Sequence, residues 1–156
     1  MIGNDIVDLN LAAIESNWRR NRYLEKLFTT SERLLIAAAT APEIMVWLLW
    51  TMKESAYKAR AAEIKLHSFA PTLLACDNLV LHQESASGRI SYLGQTYYSQ
   101  STIAPTYIHT IAAEETETIN RAITKIDNYD ATDDSYRHSN PISVSHHGNY
   151  LALIYL

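Results

Sequence analysis

The longest regular run of apolar positions lies in the middle of the first half of the chain. Met45, Leu48, Leu49, Met52, Ala56 and Ala59 recur at three- and four-residue steps and predict one long amphipathic helix. It opens at Thr40-Ala41-Pro42-Glu43, where Thr40 can cap, Pro42 suits an early helical position and Glu43 faces the positive end of the dipole. A second face carries Trp47, Trp50, Glu54, Tyr57, Lys58 and Ala61. Read alone, Glu54 and Lys58 are an i,i+4 surface pair worth ~0.2–0.5 kcal/mol, with the aromatics packed on a neighbour.

Ahead of this helix, Ile2 to Leu9 predicts a short strand ending in turn chemistry, with Asp8 capping a segment from Leu9 to Ser16. Asp5 stands among apolar residues, where a lone carboxylate is costly unless paired or metal-bound. Trp18 to Leu27 reads as a basic helical stretch that breaks at Phe28. Thr29 or Thr30 with Glu32, close to a capping-box pattern, then opens a helix running into Ala37-Ala38-Ala39. After Leu66 the character changes. Phe69–Leu74, Asn78–His82, Arg89–Leu93, Gln95–Ser99 and Thr106–Ala112 read as strands separated by Pro, Gly and Asn signals. Thr118–Ile126 fits both periods and is read as a strand. Asn128–Asn140 reads as a loop whose Asp130, Asp133 and Asp134 are solvated. Ile142–Ser145 and Tyr150–Leu156 form a hairpin turning at Gly148-Asn149. Together these elements predict a single α+β domain over residues 1–156, an antiparallel sheet packed on a long central helix, without an internal repeat.

An apolar fraction of 47% argues against a disordered chain. No apolar run approaches the ~20 residues of a membrane span, and the first residues lack a signal-like pattern, so no membrane association is expected. The lone Cys76 reads as a buried small hydrophobe, and the expected compartment is cytoplasmic. The net charge of −4 conceals an asymmetry: Met1–Leu66 holds nine Lys/Arg against eight Asp/Glu, the remainder four against nine. Arg19, Arg20, Arg22 and Lys26 are the densest basic group. Mild overall acidity argues against nucleic acid as a partner.

Three separated elements call for one explanation: Asp5 in an early strand, Glu54 and Lys58 one helical turn apart, and Ser143-Val144-Ser145-His146 at a strand end. Two carboxylates can hold Mg²⁺ while leaving positions for water and phosphate. A lysine can neutralise phosphate charge, and a histidine can bind another phosphate. This set suits substitution at phosphorus.

The chain resembles the 4′-phosphopantetheinyl transferase superfamily. The likeness rests on Ile2-Gly3-Asn4-Asp5-Ile6-Val7-Asp8, on Phe28-Thr29 with Glu32, on Trp50-Thr51-Met52-Lys53-Glu54-Ser55-Ala56-Tyr57-Lys58-Ala59, and on Ser143-Val144-Ser145-His146 with Gly148, Tyr150 and Ala152. The order of motifs is similar to that of the short, single-half holo-acyl-carrier-protein synthase type. The resemblance implies Mg²⁺-dependent transfer of the phosphopantetheine arm of coenzyme A to a serine of an acyl or peptidyl carrier protein, with release of 3′,5′-ADP. It implies Asp5 and Glu54 as metal ligands and Glu54 as base for the serine. Lys58 would contact phosphate and act as acid, and Lys53 would be a further phosphate contact. Ser145 and His146 would bind the nucleotide, with His146 on its 3′-phosphate. It further implies a homo-oligomer, a trimer first and a dimer second, with His146 of one chain facing Asp5 and Glu54 of another.

Three departures stand out. Val7 occupies the place of a third acidic ligand, the glycine-rich turn after the central helix is absent, and the chain is longer than the short type between Leu74 and Asn140. The basic group with Arg33 would meet an acidic carrier. Two other readings are a non-catalytic module that binds coenzyme A or a carrier, and a metal-dependent phosphodiesterase. Asp5, Glu54 and Lys58 together argue against the first. The scattered His67, His82, His109 and His138 argue against the second.

Overall fold

The computed structural model describes all residues, Met1–Leu156. It has a mixed α+β architecture. Strand β1 (Ile2–Asp8) leads into helices α1 (Leu9–Glu15), α2 (Tyr23–Leu27), α3 (Thr30–Ala38) and the long α4 (Pro42–Ala61). Strands β2 (Ala75–Leu81), β3 (Ser85–Tyr92), β4 (Gln95–Ile103) and β5 (Tyr107–Ala113) follow. Helix α5 (Thr116–Arg121), strand β6 (Ile123–Asn128) and the hairpin β7 (Ser143–His147) and β8 (Tyr150–Tyr155) complete the chain. Two antiparallel sheets result, ordered β1-β5-β4-β3-β2 and β6-β8-β7.

Several boundaries differ from the sequence reading. Phe69–Leu74 is not a strand: Pro71 lacks a ladder donor, and Pro71–Leu73 instead forms one 3₁₀ turn. Thr118–Ile126 divides into the end of α5 and most of β6. The basic stretch is helical only from Tyr23, because Arg22 adopts φ 65° and interrupts it. Thr40 does not cap α4; Ala41 precedes it without a side-chain cap, and Pro42 opens the first turn. Asp8 caps α1 as expected, accepting from the amides of Asn10 and Leu11.

The core lies between α4 and the five-stranded sheet. All six residues of the expected apolar face of α4 are buried, against Ile90, Tyr97, Ile108 and Ala112 among others. The aromatic face is also covered: Phe69 packs edge-on to Trp50 at 5.5 Å and lies 4.9 Å from Tyr57. Gly3 sets the distance between β1 and α4, since a Cβ there would stand 2.2 Å from the Ser55 carbonyl oxygen. No helix is long and apolar enough to cross a membrane.

Candidate functional site

The close passage of β1 over α4 brings Asp5 to the helix face that carries Glu54 and Lys58. Lys58 Nζ donates to Asp5 Oδ1 at 3.1 Å and to the Asn4 carbonyl at 3.0 Å. Lys58 therefore pairs with Asp5 across elements, not with Glu54 along the helix. Ser145 Oγ also donates to Asp5 Oδ1, at 2.8 Å. Both contacts use the same oxygen, and Oδ2 of Asp5 has no hydrogen-bond partner.

Both carboxyls are perturbed. Burial pushes the Asp5 carboxyl above its usual range, against the pull of Lys58 and the Ser145 hydrogen bond. Glu54 is pushed up to about 7, first by burial and then by the Asp5 charge, with Lys58 opposing. Glu54 has neither an ion-pair nor a hydrogen-bond partner. Two neighbouring carboxylates with free oxygens, each resisting ionisation, are a donor set that a hard divalent cation would relieve. No third His, Cys, Asp or Glu joins them into a cluster. Protein ligation by two oxygens, with the other positions left to water and phosphate, is the usual manner of Mg²⁺ and fits these residues.

A cavity of about 280 Å³ opens beside Asp5, lined also by Trp47, Trp50, Tyr23, His146 and His147. Asp5 and His146 of the one chain both line this cavity. His146 is exposed, makes no hydrogen bond through either ring nitrogen, and stacks on Tyr129 with centroids 4.0 Å apart.

Two expected site residues stand elsewhere. Lys53 is wholly buried on the far side of α4. It is ion-paired to Glu32 and donates to the carbonyls of Leu27 at 2.8 Å and Pro71 at 2.9 Å, so all three of its protons are engaged. Ser145 lies behind Asp5, where its hydroxyl accepts from the Ile6 amide at 3.2 Å and is screened from the cavity.

Ser145 is one of three side chains that hold β7 to the free edge of β1. Ser143 Oγ accepts from the Asn4 amide, Ser145 Oγ from Ile6 and His147 Nδ1 from Asp8, at 3.0, 3.2 and 2.9 Å. Alternate residues of one strand thus satisfy alternate amides of the other, with no backbone pairing between them. Asn4, which the sequence reading passed over, ties the same seam together. Its Oδ1 accepts from Ser143 at 2.8 Å, and its Nδ2 reaches the Ala152 carbonyl at 3.3 Å and His109 Nε2 at 3.1 Å. His109, read as incidental, is buried there. Burial, reinforced by Lys58, pushes it down to about 4, so it is neutral and accepts from Asn4. An Asn within an apolar strand was a signal for this network; nothing in the sequence pointed to Tyr129.

The family model of the 4′-phosphopantetheinyl transferase superfamily matches residues 1–118, and the chain belongs to that family. Curated proteins give no match. The matched stretch contains Asp5, Glu54 and Lys58, while β7 with His146 lies beyond it.

Proposed function

We propose that this member of the 4′-phosphopantetheinyl transferase superfamily transfers the 4′-phosphopantetheine arm of coenzyme A to a serine of an apo acyl or peptidyl carrier protein, releasing 3′,5′-ADP. The observation that carries this reading is the convergence of Asp5, Glu54 and Lys58, with Asp5 also lining a cavity together with His146. Asp5 and Glu54 would hold Mg²⁺, which supplies charge neutralisation at the pyrophosphate when bound.

The serine oxygen attacks the phosphorus of the arm's own phosphate. As that P–O bond forms, the bond to the nucleotide's 5′-phosphate oxygen breaks, and the electron pair leaves with 3′,5′-ADP. The serine proton passes to Glu54, directly or through one water. Lys58 uses two of its three protons on Asn4 and Asp5. The third is free to donate to the departing phosphate oxygen, a charge-assisted bond that strengthens as negative charge develops. His146 binds the 3′-phosphate through its unengaged ring nitrogens. The exposed Arg19, Arg20, Arg22 and Lys26 face the acidic carrier; Arg20 lies 4.8 Å over the ring of Tyr23, a residue of the cavity wall.

The test is intact-mass analysis of a panel of apo carriers incubated with the protein, coenzyme A and Mg²⁺, with Glu54→Ala and metal-free controls. One added arm, lost in both controls, is the expected result. Coenzyme A binding without transfer to any carrier would replace the enzyme with a binding module, and neither binding nor transfer would remove the reading altogether.

A further inference from the structure

We infer that Tyr129 is a positioning residue for the nucleotide end of the site, acting through His146. The inference rests on the reading above that His146 meets the 3′-phosphate of coenzyme A. His146 stands at the cavity wall with Asp5, exposed and without a side-chain hydrogen bond. An imidazole so placed samples several rotamers unless something restrains it. Here the restraint is one aromatic face: Tyr129 lies 4.0 Å from the His146 centroid with only 9° between the ring planes. Stacking fixes the plane of the imidazole and leaves both nitrogens at its edge available to a ligand. The neighbouring His147 is different, because its Nδ1 is already occupied by the Asp8 amide.

Tyr129 is itself held firmly. Its amide donates to the Asn149 carbonyl at 2.8 Å, across the turn of the hairpin that carries His146. The next residue, Asp130, closes a tight turn by accepting from the Thr132 amide at 2.9 Å and its hydroxyl at 2.7 Å. The stretch after β6 thus has a definite task, to bring one aromatic ring flat against His146. It lies outside the residues that the family model matches.

The test is calorimetric binding of coenzyme A and of 3′-dephospho-coenzyme A to the full chain and to Tyr129→Ala, Tyr129→Phe and His146→Ala. Loss of the stack should weaken coenzyme A binding ~3–10-fold in Tyr129→Ala, the range expected of an aromatic pair. Tyr129→Phe, which keeps the ring, should stay within about twofold of the parent. The dephospho compound should bind all four proteins alike. The His146 ring protons should be shifted upfield in the parent and in Tyr129→Phe, and lose that shift in Tyr129→Ala. Parent-like coenzyme A affinity in Tyr129→Ala, with His146→Ala weakened, would overturn the role of Tyr129 and leave the function standing. Parent-like affinity in His146→Ala would overturn the nucleotide role of His146, and the inference with it.

Discussion

Lys53 and Lys58 share a charge, a helix and a motif, yet the structure gives them opposite surroundings. Five residues along an α-helix turn the side chain through about 140° net, so the two cannot serve one site. Glu54 and Lys58, four apart, do share a face. The helical period therefore already separated Lys53 from the chemistry, although motif matching placed it there. Its role is internal, as the partner of Glu32, whose other oxygen accepts from the Cys76 amide at 2.7 Å while the same carboxylate closes the capping box at Thr29. Lys53→Met leaves a carboxylate without its cation in the core and should cost ~3–5 kcal/mol. Lys53→Met combined with Glu32→Gln should recover part of that loss, because Gln removes the unpaired charge but keeps only one acceptor oxygen for the amides of Thr29 and Cys76, and coenzyme A affinity should be unchanged in whichever variants remain folded. Urea unfolding and calorimetry check this; weaker binding at intact stability would return Lys53 to the phosphate site.

Among the elements, the β7 seam shows most clearly what a motif can and cannot tell. Ser145 and His146 are adjacent in the motif, so both were assigned to the nucleotide. Neighbours in a strand point to opposite sides, and here Ser143, Ser145 and His147 turn to β1 while His146 turns away. The alternation was present in the sequence; the identity of the strand it faced was not, because a contact between residues 139 positions apart is set by tertiary packing. The long period of α4 and the apolar content of β1 were legible for the opposite reason, being local.

The stability of the seam should also depend on pH. His109 is pushed down to about 4 from an ordinary 6.5. A histidine with a lowered folded pKa contributes stability that is fully present above about 6.5 and is lost as pH falls toward 4. From pH 7 to pH 4.5 the loss attributable to His109 is about 2–3 kcal/mol. His109→Gln keeps an acceptor for Asn4 and cannot titrate, so its stability should fall less over that interval. Urea midpoints at the two pH values measure the difference; parallel falls in both proteins would show that His109 is not the titrating group.

For the whole molecule, the first strand, the central helix and the penultimate strand all line one cavity, through Asp5, through Trp47 and Trp50, and through His146. Their convergence depends on Gly3 letting β1 lie against α4, and on the β7–β8 hairpin lying against β1. A mixing experiment follows. Asp5→Ala and His146→Ala should each damage a different part of the proposed site. If both parts come from one chain, co-refolded mixtures should show no more transferase activity than the average of the separate variants. Recovery toward the statistical fraction of intact sites would instead require sites shared between chains.

A five-stranded sheet has two edges, and unpaired edges invite pairing with strands of other molecules. On β2 the ladder breaks between Asp77 and Val80, with Asn78 in a left-handed conformation, so an incoming strand finds no continuous register there. On β1 the amides of Asn4, Ile6 and Asp8 already donate to two hydroxyls and an imidazole of β7. The edge that bears Asp5 is therefore closed to strand addition by side chains alone. The same three contacts that place Ser145 behind Asp5 also protect the chain from edge-to-edge aggregation.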